Sequence, residues 1–118
     1  MKYMLLIYME ETAMSEAERS HCYVKSAGLA QQLHEQGKLR GTSPLLPSAL
    51  TKSVQMRDGK QLVTDGPFVE TREQLGGFFL IEANDLDEAI NVAGQIPGAQ
   101  VGTVEIRPVI ELPGLPKL

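Results

Sequence analysis

The sequence has few of the residues that form cross-links or metal clusters. Of its 118 residues, one is cysteine, none is tryptophan and 5% are aromatic. The single cysteine, Cys22, has no partner for an internal disulfide and no neighbours for a cysteine zinc site. We therefore expect a chain of the reducing cytoplasm without a structural metal.

Basic clusters and long apolar runs are also missing. Eleven basic residues against fifteen acidic ones give a formal net charge of -4, and no basic patch suggests nucleic-acid binding. The apolar run at residues 3–9 is too short to cross a membrane. It is followed by Glu10 and Glu11 and lacks a small-residue cleavage site, so it predicts a strand rather than a signal peptide. Nucleic acid and membranes are therefore not expected partners.

Motifs for nucleotides, metals and activated nucleophiles are absent as well. The sequence contains no P-loop, no G-x-G-x-x-G, no G-x-S-x-G and no H-E-x-x-H. We therefore predict neither a cofactor nor a metal site. The chain length suits one domain with a single hydrophobic core.

The first half of the chain predicts a strand and a helix. Residues 2–9 are apolar at odd and even positions alike, which is typical of a strand buried on both faces. Ser15 and Glu18 have capping-box spacing and predict a helix over about 15–36. The apolar stripe of that helix consists of Cys22, Ser26, Leu29, Ala30 and Leu33. Residues 38–50 hold a glycine and two prolines and are expected to be irregular.

The second half predicts a hairpin, a strand, a helix and a strand. Asp58-Gly59, between alternating residues 51–57 and 60–64, is a strong signal for a two-residue turn. Residues 77–83 are apolar on both faces, and 101–109 form the last strand. Between them Asp85 caps a helix that Pro97-Gly98 ends. The apolar stripe of this helix consists of Leu86, Ala89, Ile90 and Ala93.

This order predicts an α+β fold of the ferredoxin-like type, two split βαβ halves with an inserted β-hairpin. We place a single domain at 1–110 and an extended proline-rich tail at 111–118. Two helices cover one face of such a sheet, yet strands 2–9 and 77–83 are apolar on both. An uncovered second face would be a large hydrophobic patch, so we predict a homodimer formed by sheet-to-sheet packing.

The stretch from Thr64 to Phe78 holds the candidate chemistry. Asp65 is either a turn residue or a base or binding carboxylate held by the neighbouring Gly66-Pro67. Arg72 either belongs to a solvated charged loop or pairs with Asp65 or Glu70, or binds an anionic ligand.

Histidine and tyrosine residues supply further candidates. His21 and His34 both lie on the first predicted helix, where a surface position is common. Whichever approaches Asp65 would form a carboxylate–imidazole pair suited to acid/base work. Tyr8 either lines a ligand pocket or packs in the core with one hydrogen bond.

Residues 65–78 resemble the D-G-P-F-A-E-T-K-E signature of the DGPF proteins, a branch of the YCII-related family. The opening residues 1–8 and the closing residues 104–109 resemble that family too, so the likeness covers about residues 1–110. Val69 stands where the family has alanine, and Arg72 where it has lysine. The resemblance implies a ferredoxin-like dimeric α/β barrel.

The resemblance also implies a function. In the YCII branch a histidine and an aspartate meet in a cleft, which carries over to Asp65 and, as the nearest match, His21. Our first hypothesis is a cytoplasmic homodimer that binds a small anionic molecule through Arg72, Glu70 and Tyr8, with lyase- or isomerase-type proton transfer. The second is a non-enzymatic accessory protein of an extracytoplasmic-function sigma factor, because some DGPF genes lie beside such factors. The third is that the signature only shapes the dimer.

Overall fold

Ten short elements follow one another in the computed structural model, which describes residues 1–117. In chain order they are β1 (Lys2–Met9), α1 (Glu16–Glu35), β2 (Leu39–Pro44), a 3-10 turn (Ser48–Leu50), β3 (Lys52–Arg57), β4 (Lys60–Asp65), β5 (Gln74–Glu82), α2 (Leu86–Gln95), the one-turn helix α3 (Gly98–Val101) and β6 (Thr103–Pro108). Four strands form an antiparallel sheet in the order β2-β5-β1-β6, and β3 pairs with β4 in a separate sheet. The ferredoxin-like α+β prediction with an inserted hairpin is confirmed.

The expectation that residues 38–50 are irregular is wrong for β2. This strand pairs with β5 from Leu39, opposite Ile81, to Pro44, opposite Gly77. Its pairing depends on a strand far away in sequence, which local signals do not report. As an edge strand, β2 accommodates both a proline and a register shift near Arg40.

The sheet has one face under the helices and one without them. Tyr3, Leu5 and Ile7 of β1 are buried in the core. Leu29 and Leu33 of α1, Ala89, Val92 and Ala93 of α2, and Phe79 and Ile81 of β5 complete most of that core. The alternate residues Met4, Leu6 and Tyr8 are half-buried and point to the other side. We call the sheet surface formed by Met4, Leu6, Tyr8, Phe78 and Leu80 the second face.

Both helices begin at the predicted caps. Glu18 N donates to Ser15 Oγ at 3.2 Å and Ser15 N to Glu18 Oε1 at 3.1 Å, so the capping box is confirmed. Asp85 accepts from Glu88 N at 2.9 Å and starts α2. The predicted α2 stripe is partly wrong. Val92 packs in the core beside Ala89 and Ala93, whereas the predicted Leu86 and Ile90 are exposed.

The inserted hairpin is also confirmed. Asp58 and Gly59 have φ values of 52° and 73°, the left-handed conformation that a type I′ turn requires at both positions. Every residue of β4 is exposed, and in β3 only two residues are half-buried. The hairpin thus stands apart from the core, and we call residues 52–65 the arm.

Gly76 and Gly77, at the end of the signature, differ in how closely neighbouring backbone approaches them. A Cβ on Gly77 would lie 3.0 Å from the carbonyl oxygen of Ser43 and 3.3 Å from Pro44 Cα, because β2 passes close beside it. A Cβ on Gly76 would lie 3.8 Å from its nearest neighbour, the carbonyl oxygen of Ile7. Of these two glycines, only Gly77 is therefore required by the close approach of neighbouring backbone.

We expect Gly77→Ala to lower the free energy of unfolding by about 1–3 kcal/mol, because the neighbouring backbone must shift. Gly76→Ala, the matched control, should stay within about 0.5 kcal/mol of wild type. Urea titrations followed by circular dichroism measure both. Equal losses for the two variants would contradict the close approach of β2.

Candidate functional site

The larger of two cavities beside α1 lies between that helix and the sheet. Its volume is about 810 Å³. Its walls are the α1 side chains Arg19, Cys22, Ser26 and Ala30, the segment 42–47 and residues 75–79 of β5. We call it the α1 groove.

The groove exists because α1 packs against the core with only its second half. The buried residues of α1 are Leu29 and Leu33, so its first half overhangs the sheet. Cys22 and Ser26, predicted as part of the apolar stripe, are half-buried and line the groove. The opposite wall is fixed to β5 by a hydrogen bond from Leu45 N to Gly76 O at 2.9 Å.

A network around Glu11 closes one end of the groove. Ser48 N donates to Glu11 Oε2 at 2.8 Å, and the Ser48 hydroxyl donates to the other carboxylate oxygen. These two hydrogen bonds, with a smaller contribution from the positive charge of Arg19, hold the pKa of Glu11 below its ordinary value. The carboxylate thereby connects the β1–α1 loop to the 3-10 turn after β2.

Arg19 brings positive charge into this largely apolar space. Its Nη2 donates to the carbonyl oxygen of Glu11 at 2.8 Å. Among the lining residues that the structure describes, Arg19 is the only lysine or arginine. Within residues 1–117 its guanidinium forms no salt bridge, since the Glu11 carboxylate is engaged with Ser48. The remaining guanidinium donors can therefore serve a ligand.

The second cavity, of about 690 Å³, lies between α1 and the α2–α3 region. Polar side chains make up much of its lining. They are Glu18, His21, Lys25 and Gln32 from α1, with Gln95 and Gln100 opposite. We call it the His21 cleft. His21 itself is exposed and forms no hydrogen bond within the described part of the chain.

The residues predicted from the signature lie apart from both cavities. Asp65 ends β4 with its side chain 85% exposed, and its carboxylate forms an ion pair with Lys52 across the arm. Arg72 Nε contacts Glu10 Oε1 at 2.6 Å, so Arg72 pairs with neither Asp65 nor Glu70. Glu70 is exposed. In residues 1–117 no histidine is hydrogen-bonded to Asp65.

Tyr8 lies on the second face, on the side of the sheet opposite to the α1 groove. None of the five predicted site residues lines that groove. Arg19, which does, was missed. Its signal was readable, because Arg19 lies three and seven residues before Cys22 and Ser26 and so shares their side of the helix.

Two classes of site find no support in the described residues. Within residues 1–117, no three His, Cys, Asp or Glu side chains are grouped so that they could hold a metal ion. In the same range, no helix combines the length and the hydrophobicity needed to span a bilayer.

Comparisons with known proteins bear on the family and the fold. The YCII-related domain matches residues 1–113. An uncharacterised protein of Rhizobium meliloti strain 1021 is 34% identical over 114 residues, which cover 92% of either chain. A solved structure of the 5-chloro-2-hydroxyhydroquinone dehydrochlorinase TftG from Burkholderia phenoliruptrix AC1100, in complex with 2,5-dihydroxybenzoquinone, superposes with a TM-score of 0.59. It is 13% identical, and the match covers 93% of this chain and 94% of that one. At this identity the likeness shows a shared fold.

The Glu11–Ser48 contact generates a pH prediction. Because folding lowers the pKa of Glu11, its contribution to stability is full above the ordinary value of 4.5 and is lost as the pH falls through the lowered value. We expect Glu11→Gln to lower the free energy of unfolding by about 1 kcal/mol at pH 7. The difference from wild type should shrink below about pH 4.5.

Urea titrations at pH 7, 5 and 3.5 test this expectation. Glu70→Gln is the control, because that exposed carboxylate has no hydrogen bond among the described residues and its loss should change little at any pH. A Glu11→Gln deficit that is the same at all three pH values would show that the ionised carboxylate does not connect the two loops.

Proposed function

The chain belongs to the YCII-related domain family, and from that premise we propose that it binds a small, largely apolar molecule with an anionic group in the α1 groove. One observation carries the proposal. Arg19, a cation without a salt bridge among residues 1–117, lines an otherwise largely apolar cavity of about 810 Å³. The DGPF branch, the cytoplasmic location and the homodimer predicted from the sequence are parts of the same proposal.

The shape and composition of the groove suit such a ligand. Small-molecule sites are concave and mainly apolar, with a few placed polar groups that fix the ligand's orientation. Met9, Leu45 and Phe79 supply apolar wall, while Ser26 and Thr42 supply hydroxyl groups. An arginine in such surroundings favours carboxylates, because its planar donors match their two oxygens.

We propose proton transfer of the lyase or isomerase type as the chemistry. The structural likeness to a dehydrochlorinase supports a small-molecule reaction of the lyase kind. The predicted acid/base pair, Asp65 and His21, does not meet within one chain. A working pair of this kind would therefore need Asp65 from one copy and the histidine from another.

The homodimer we propose buries the second face. Met4, Leu6 and Tyr8 lie there without a helix over them in the described part of the chain. Glu105 and Arg107 flank them on β6 and pair through Nε and Oε1 at 2.8 Å. An apolar centre with a charged rim is the usual anatomy of a protein interface.

An accessory role beside a sigma factor is the second candidate. The observation that favours it is the set of exposed hydrophobic side chains on the arm and on the loop that follows it, residues 66–73, which would suit a protein partner. Among these are Val54, Met56, Val63, Phe68 and Val69.

Ligand binding is tested by thermal shift with small carboxylic acids and their matched primary amides. We expect acids, not amides, to stabilise the wild type. Arg19→Gln should weaken their binding about 10- to 100-fold, the effect of losing a charged hydrogen-bonding partner. Lys25→Gln removes a cation from the His21 cleft instead and should leave binding unchanged. Shifts that persist in Arg19→Gln, or vanish only in Lys25→Gln, would place the ligand elsewhere.

Assembly is tested by analytical ultracentrifugation. We expect a wild-type dimer and a monomeric Leu6→Lys, because the variant buries a charge at the centre of the second face. The lysine lies opposite Glu105 within its own chain, so the monomer should remain folded. Val24→Lys, on an exposed position of α1, is the control and should stay dimeric. A dimeric Leu6→Lys would show that another surface forms the interface.

A further inference from the structure

We propose that the arm packs against a second copy of the chain and carries Asp65 to that copy. The proposal rests on the homodimer described above and adds a second contact region to it. It assigns a surface and a role to the most exposed element of the fold.

Within residues 1–117 the arm forms no sheet pairing beyond its own two strands. β3 and β4 pair with each other and with no strand of the main sheet. Hydrogen bonds at its base, from Gly66 N to Thr51 O and from Ser53 Oγ to Gly66 O, both at 2.8 Å, close the hairpin rather than attach it to the core. A two-stranded hairpin alone is at best marginally stable in water, so an arm of this kind needs a cover.

One side of the arm is apolar. Residues directly opposite each other in an antiparallel pair share a face, and Val54 lies opposite Val63 and Met56 opposite Gln61. Val54, Met56 and Val63 are 56%, 59% and 59% exposed. We call them the apolar arm face. The other side carries Ser53, Gln55, Arg57, Lys60, Leu62 and Thr64.

The chain exposes more surface than a compact monomer of its size. Its accessible area is 8345 Å², against about 6,300 Å² for a typical folded monomer of 12.9 kDa. Its radius of gyration is 15.9 Å, against about 13.5 Å for a compact domain of this length. The excess area, about 2,000 Å², exceeds the roughly 800 Å² per partner that a stable interface buries.

Charge and symmetry favour a second copy as the cover. The arm carries three basic and two acidic residues, so it is net positive, whereas the whole chain is at -4. The arm of one copy is therefore attracted to the rest of another. In a two-fold dimer both arms would be covered by the same contact made twice, which closes the assembly.

Such docking changes the surroundings of Asp65. Asp65 lies opposite Lys52, on the same side of the arm as the apolar arm face. In one chain the ion pair is exposed and its strength is screened by water. Docking would desolvate that pair and place the carboxylate against groups of the partner copy. A site that uses Asp65 would then be shared between two chains.

The first test compares two arm variants that differ in the side they affect. Met56→Glu adds a charge to the apolar arm face, and Leu62→Glu, 47% exposed, adds the same charge to the other side. By sedimentation we expect Met56→Glu to raise the dimer dissociation constant at least tenfold and Leu62→Glu to leave it near wild type. Circular dichroism checks that both stay folded.

Each outcome of this test decides something. If Met56→Glu dimerises like the wild type while Leu6→Lys dissociates, the arm contact is overturned and the homodimer stands. If Met56→Glu and Leu62→Glu weaken dimerisation equally, the assignment of the contact to the apolar arm face is overturned. A monomeric wild type overturns the arm contact and the homodimer together. Ligand binding by Arg19 is then still decided by the thermal-shift experiment.

The second test asks whether Asp65 reaches the other copy. Unlabelled and nitrogen-15-labelled chains are mixed by unfolding and refolding together and then treated with a carbodiimide, which joins carboxylates to nearby amines. We expect cross-links from Asp65 or Lys52 that contain one labelled and one unlabelled peptide. Cross-links of these residues that occur only within single chains would overturn the proposal.

Discussion

Burial of β1 under both helices is the interaction on which the rest of the structure depends. This strand lies between β5 and β6, and its side chains Tyr3, Leu5 and Ile7 contact the core to which both α1 and α2 contribute. The sheet order, the side on which the helices lie and the position of the β1–α1 loop all follow from that burial. The same burial leaves the opposite side of the strand, with Met4 and Leu6, without a helix from the described residues 1–117.

The groove is a second consequence of the same packing. The core contacts α1 through Leu29, Ala30 and Leu33, all in the second half of the helix. The first two turns are connected instead to the preceding loop, through the capping box and the hydrogen bond from Arg19 to the Glu11 carbonyl oxygen. Two contacts fix the other walls of the cavity. They are the Glu11–Ser48 contact and the Leu45–Gly76 hydrogen bond.

Local signals predicted the elements, and non-local contacts account for what was missed. Capping at Ser15 and Asp85 and the turn at Asp58 depend on neighbours a few residues away, so the sequence contains the whole signal. The pairing of β2 with β5 joins distant segments, and its Pro44 argues locally against a strand. The unusual composition of the signature stretch predicted a site at Asp65. In the sequence Arg19 is an ordinary helix residue. It becomes a candidate for ligand binding only because distant segments form a cavity around it.

The signature stretch connects the arm to one wall of the α1 groove. Its beginning, Asp65, ends the arm, whereas Leu75–Phe78 form a wall of the α1 groove. Between them Arg72 is paired with Glu10, which fastens the loop near the end of β1. The Arg72–Glu10 pair thus ties the loop between the arm and the groove wall, while Asp65 stays outside the groove. If the aspartate and the groove serve one reaction, the geometry that unites them must come from another copy of the chain, because the fold of a single copy separates them.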